Sequence, residues 1–194
     1  TPSISSAASD VYKRQTVSPI AMGLLNTAFL AVAVWLLIKP QKNSESWFWP
    51  LLLFVGLATF SRVVLSFIPN VMPVTIMAVM VGSKFGAQRG ISFAILVTLA
   101  SNAVLGHGWW SLFQMIGWGS VAAVASMISV HDSSANLSMN RLLFASLWSV
   151  PIFSIIVSFS ILDSSMSMIE FGLYVANGPV SYTHLTLPTK WTVE

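Results

Sequence analysis

The chain has 194 residues, 55% hydrophobic and 8% charged, with a mean hydropathy of +0.78; these values place it among membrane proteins and exclude a disordered or ordinary soluble chain. Cysteine is absent, which removes a disulfide framework, a thiol nucleophile and any cysteine metal site. The formal charge of +3 comes from basic residues standing singly between apolar stretches, so they set topology and do not form a nucleic-acid patch.

Residues 1–15, TPSISSAASDVYKRQ, are polar and lack the periodicity of the interior, as do residues 181–194, SYTHLTLPTKWTVE. SAASDVYKRQ and VSYTHLTLPT resemble translated adapter sequence found at the edges of reading frames assembled from environmental DNA. Both ends are therefore set aside from fold reasoning, with the expectation that the natural bacterial protein is cut short at one end or both. Ordinary polar tails are the alternative reading.

A membrane helix needs about 20 mostly apolar residues. On that measure spans are predicted at Ile20–Ile38, Trp47–Ile68, Val74–Gly82, Ile91–Leu105, Trp109–Val130 and Leu142–Leu162. The third is too short to stand alone and reads as a bent or partly re-entrant helix sheltered by its neighbours. A seventh segment begins in MIEFGLYVANGPV and runs into the foreign tail. The predicted fold class is an all-α integral membrane protein, a bundle of about six transmembrane helices with one short or bent.

Lys39 and Lys42 follow the first span, Lys84 and Arg89 the third, and Arg141 precedes the last, whereas the loops around Asn70 and His107 carry no Lys or Arg. The positive-inside rule then makes the basic loops cytoplasmic in a multi-pass plasma-membrane protein. IPNVMP, GHGWW and the stretch from Asp163 to Asn177 face outside, where short loops converge over the bundle.

Several residues in this outer half point to a solute site. Arg62 lies seven residues before Pro69, about 10 Å of helix rise, and is either paired or site-lining within the bundle or snorkels to the surface. In IPNVMPVT, Pro69 and Pro73 free backbone carbonyls and turn Asn70 and Thr75 toward a ligand; a plain prolyl turn explains the same letters. Asn102 seeks a partner in lipid, either another helix or a solute. His107 sits between two glycines as a loop residue without a second ligand at metal spacing, so no metal site is expected. Trp110, Gln114 and Trp118 recur every four residues and place indole, amide and indole on one helix face. An aromatic belt at the boundary is the alternative for Trp109 and Trp110.

Catalytic signatures are missing: there are no paired carboxylates in the spans, no GxSxG elbow, no HExxH and no phosphate-cradling loop. His107 with Ser101 or Ser111 is the one nucleophile and base pairing available, and the chain reads as a non-enzyme without a cofactor. Acidic residues are also absent from the spans, so uphill transport would draw its energy from a partner.

The stretch RVVLSFIPNVMPVTIMAVMVGSKFGAQRGISFAILVTLASNAVLGHGWWSLFQMIGWG resembles the substrate-binding S component of energy-coupling factor (ECF) transporters. The likeness runs from about Gly56 to Ala125, in the branch that reads R, then IPN or IPG with PVT, then SNxxxGxGPWTPWQMxxWG. It implies a six-helix membrane protein that captures a vitamin outside, with cobalamin as first guess, and joins a transmembrane scaffold subunit and two cytoplasmic ATPases. Arg62, Asn70, Pro73, Thr75, Asn102, Gly106, Gly108, Trp110, Gln114 and Trp118 fall on the family pattern. The family's Pro before the Trp is Trp109 here, and its Thr-Pro-Trp is Ser111, Leu112 and Phe113. Of the family's spaced small docking residues only Gly56 is small, with Leu52 in the other place; Gly56, Ala58 and Ser61 are the expected partner-docking surface. The family's last helix would follow Asn177, Gly178 and Pro179 and is missing. The organisation expected is thus an extra N-terminal transmembrane helix and loop at 16–46 and an S-component-like domain at 47–180. A non-transporting membrane scaffold, with Arg62, Asn102 and Gln114 bonding between helices, is the second hypothesis.

Overall fold

A computed structural model describes residues 18–40, 46–68, 73–128, 138–161, 169 and 172. Both terminal segments, Asn70 and all of the seventh segment except Ile169 and Gly172 fall outside the described residues.

The described chain is all-helical: α1 (Pro19–Ile38), α2 (Phe48–Val64), α3 (Pro73–Phe85), α4 (Ala87–Leu105), α5 (Trp110–Ala125) and α6 (Met139–Ser158), closed by a 3₁₀ turn at Phe159–Ile161. Local chemistry sets the ends. The Ser18 hydroxyl accepts from the Ala21 amide at 3.2 Å, ahead of Pro19 in the first turn of α1. Gly86, at φ 86°, is the single residue between α3 and α4, and Gly106, at φ 102°, ends α4; a side chain with a Cβ tolerates neither angle well.

α1, α4 and α6 are long and apolar enough to cross a membrane, whereas α2 and α3, at 17 and 13 residues, are shorter apolar helices. The third predicted span is one unbroken helix from Pro73 to Phe85, about 20 Å long at 1.5 Å per residue. α2 stops at Val64, four residues before the predicted Ile68. Pro69 disfavours a helical Ile68, and the Ser66 hydroxyl takes the Val63 carbonyl at 2.8 Å, so the chain leaves the helix in tight turns.

α4 and α3 form the middle of the bundle. α4 packs against α1, α2, α3 and α5, and α3 against α2, α4, α5 and α6. The core joins Leu51, Val74, Ala78, Val81, Phe93, Val97, Trp118, Val121 and Phe153 from five helices. Large apolar side chains instead cover the outside, among them Trp35, Leu53, Phe60, Leu147 and Trp148, all more than half exposed. That inverted surface suits hydrocarbon and not water.

The tightest packing joins α3, α4 and α5. A Cβ on Gly82 would lie 2.1 Å from the Ala122 carbonyl oxygen, and one on Gly90 would lie 2.7 Å from the Ala122 Cβ and 3.0 Å from the Gly82 Cα. Without a hydrophobic drive between helices in lipid, such close backbone approach supplies much of the association energy. Gly82→Val is therefore expected to lower stability by about 1–3 kcal/mol or more, through a clash with backbone that cannot swing aside. Gly23→Ala, with open space around it, should be neutral or raise stability by up to about 1 kcal/mol. Thermal unfolding of the two variants in detergent checks both.

Candidate functional site

α4 carries Ser101 and Asn102 in its last turns, and four residues separate its end at Leu105 from the start of α5 at Trp110. The reversal through Gly106 sets Ser111 and Gln114 of α5 beside Asn102. The Asn102 amide donates from Nδ2 to Ser111 Oγ at 2.7 Å and to Gln114 Oε1 at 3.1 Å. Ser111 Oγ also accepts the Gly108 backbone N–H at 3.3 Å, which ties the GHG turn to the same cluster.

Arg62 enters from the last turn of α2. Its Nη2 donates to Gln114 Oε1 at 3.0 Å and its Nη1 to Ser101 Oγ, while Ser101 donates to its own helix at Val97 O, 2.6 Å away. Gln114 Oε1 is thus a shared acceptor for a guanidinium and an amide. One turn deeper on α5, the Trp118 ring lies under the Arg62 guanidinium, 4.8 Å from Cζ to the ring centroid. The Trp118 indole N–H donates to Thr75 Oγ1 at 3.2 Å, and its ring stacks on Phe153 at 4.8 Å with 21° between planes. Five helices, α2 to α6, therefore meet at Arg62 and Trp118.

Burial gives the cluster its energetic weight. Asn102 and Trp118 are 1% and 2% exposed, Ser101 and Ser111 fully buried, and Arg62 and Gln114 half-buried. An unmade hydrogen bond at such depth costs about 1–3 kcal/mol, which is why each buried polar side chain here finds a partner. The nearby exception is Thr59, one turn before Arg62 on α2, whose buried hydroxyl has no partner among the described residues.

Arg62, Thr75, Asn102, Gln114 and Trp118, all expected from the sequence, come together. His107 does not join them: it is exposed and stands 3.5 Å from Asn26 Nδ2 of α1, through Nδ1. Trp110 sits at the rim, 38% exposed, with its ring folded over Gly108, where a Cβ would come within 2.2 Å of it. Of the expected docking residues, Gly56 faces open space, Ala58 is fully buried, and Ser61 is half-buried with its hydroxyl on the Ala58 carbonyl at 3.1 Å.

Two serines not expected in the site, Ser101 and Ser111, turn out to anchor the cluster, Ser101 under Arg62 and Ser111 under Asn102. Their signal was available, since Ser101 adjoins Asn102 and Ser111 precedes Gln114 by one helical turn. Phe153 and Asn26 carried no such signal. Among the described residues no three His, Asp or Glu side chains gather as a metal would require.

Compared with protein-family models, with curated proteins and with solved structures, the chain gives no match.

Gln114→Leu removes the shared acceptor and strands donors on Arg62 and Asn102, so it should destabilise by about 1–3 kcal/mol. Combined with Arg62→Met it should cost less than the sum of the two single changes, with a coupling of about 0.5–3 kcal/mol in a double-mutant cycle of thermal or denaturant stability. Additive losses would contradict the shared bond.

Proposed function

We propose that this chain is the membrane-embedded substrate-binding subunit of an ECF-type importer, capturing a vitamin-like solute, cobalamin as first candidate, from outside the cell. The observation that carries the reading is the cluster of half-buried Arg62 and Gln114 with buried Asn102 and Trp118, where side chains of several helices meet. Intramembrane ionisable residues of this kind mark solute paths more often than they serve packing alone. The sequence likeness over Gly56 to Ala125 supports the same reading.

On this proposal all six helices belong to the membrane domain, with α2 and α3 shortened and sheltered by neighbours. The loops bearing Lys39, Lys84 and Arg141 face the cytoplasm, and the polar cluster lies toward the outside. The energy comes from two cytoplasmic ATPase subunits through a transmembrane scaffold subunit, so the chain itself is not an enzyme. The open backbone at Gly56, flanked by exposed Leu52 and Leu53, offers the scaffold a close approach.

One observation favours a second reading, a non-transporting scaffold or assembly subunit: Ser101, Asn102, Ser111 and Gln114 already bond to one another or to Arg62. The two readings separate by ligand-dependent stability. A solute present at 100 times its dissociation constant adds about 2.7 kcal/mol to the folded state. The detergent-solubilised protein is expected to melt higher with one member of a vitamin panel, and Gln114→Ala should abolish that shift. A folded protein that responds to none of them would leave the scaffold reading in possession.

A further inference from the structure

Resting on the solute-binding reading, we infer that the captured solute carries an oxyanion, a carboxylate or phosphate group, and that Arg62 is the residue that receives it. The bookkeeping of charge leads there. Among the described residues five are Lys or Arg, namely Lys39, Arg62, Lys84, Arg89 and Arg141, and none is Asp or Glu. Four of them sit at or beyond the helix ends that share the basic loops. Arg62 alone lies at the opposite end, inside the cluster.

Every partner of Arg62 is neutral: a serine hydroxyl, a glutamine carbonyl and an indole face. These groups orient the guanidinium without cancelling its charge. The C-terminal dipole of α2 and the Trp118 ring each favour a cation, but only weakly at a half-buried site. A guanidinium has five N–H donors; two are used here, which leaves three without a protein acceptor among the described residues. Planar donors of fixed geometry beside an unbalanced charge are what a carboxylate or phosphate engages with two parallel bonds.

Trp118 completes the geometry. Its ring carries the guanidinium on one face of an apolar slab, and its own N–H is already committed to Thr75. The indole, 2% exposed and stacked on Phe153, therefore orients the guanidinium and adds no competing donor. Asn102 Nδ2 and Gln114 Oε1 are fixed by each other, and the remaining Gln114 Nε2 donors are neutral, so Arg62, with three open donors, is the one charged group of the cluster and the least filled.

The competing source of negative charge is the chain itself, through Asp163 or Glu170, which follow α6 in the sequence. The experiment therefore has two arms. In the first, melting of the detergent-solubilised 194-residue chain is followed with biotin, pantothenate, nicotinate and cobalamin, each bearing a carboxylate or phosphodiester, and with riboflavin, thiamine and nicotinamide, which bear neither. The expected result is stabilisation confined to a member of the anionic set, with affinity falling roughly tenfold or more in Arg62→Gln and less in Arg62→Lys. Stabilisation by a neutral or cationic member, or unchanged affinity in Arg62→Gln, would overturn the charge inference and leave solute capture standing. No response to any member by a folded protein would remove both.

The second arm needs no ligand. Asp163→Asn and Glu170→Gln should leave melting of the unliganded protein unchanged. A loss of stability in either, absent when Arg62 is already Gln, would assign the counter-charge to the chain and refute the inference. Should Arg62→Gln fail to fold, Arg62→Lys and the ligand series on the unaltered protein still decide it.

Discussion

The close approach of α3, α4 and α5 at Gly82, Gly90 and Ala122 is the constraint on which the rest of this bundle depends. Neither glycine leaves room for a Cβ beside Ala122, and Gly86 alone separates the two helices that carry them. Helices in lipid gain little from hydrophobic burial against each other, so a contact of this kind fixes both distance and register. From Gly90 to Asn102 is about 18 Å of helix, a length over which a rigid helix transmits that register to the other end. There Ser101 and Asn102 arrive opposite Ser111 and Gln114, and Thr75 of α3 arrives opposite Trp118.

The polar cluster is a second layer laid on that frame. Its members come from separate helices, and each bond within it is also a bond between helices or across a turn. A hydrogen bond in a membrane bundle averages well under 2 kcal/mol net, so the cluster does not hold the fold by itself. Its leverage is the reverse cost: a buried donor left alone is expensive, so alternative helix registers that separate Asn102 from Ser111 or Arg62 from Gln114 are disfavoured. Packing chooses the distance between helices, and the cluster rejects the wrong rotation.

Much of this was legible in the chain, and the failures have physical reasons. An apolar run marked each of the six helices described, although the run read for α3 is shorter than the helix itself. The end of α2 was misplaced by four residues, since hydropathy does not register the competition of Ser66 for the Val63 carbonyl or the restraint that Pro69 puts on Ile68. The four-residue spacing of Gln114 and Trp118 correctly put them on one face, and that face meets Arg62. Trp110 shares the spacing yet stays at the rim, 38% exposed, with its ring packed on Gly108 instead. Phe153 was invisible in the sequence: one apolar residue of α6 looks like another until the Trp118 ring is seen lying on it. α1, read as an addition to the family core, is bound into the structure by a hydroxyl of the central helix, Ser92 donating to the Ala33 carbonyl at 3.1 Å.

An internally bonded site has a consequence for any solute that enters it. Each hydrogen bond offered to a ligand by Ser101, Asn102 Nδ2 or Ser111 is first withdrawn from a neighbour, so that exchange is nearly neutral and contributes little affinity, whereas the Gln114 Nε2 amide has no partner among the described residues and can be offered directly. Apolar contact with the Trp118 and Phe153 faces is limited for the same reason, since those rings already cover each other. What is not exchanged is charge. Arg62 holds a full positive charge against neutral partners, in a medium where the same Coulomb attraction is several times stronger than in water. On the proposed reading, affinity at this site would be governed by the electrostatic term, and the hydrogen-bonded frame around Arg62 would hold its guanidinium oriented for an anionic solute.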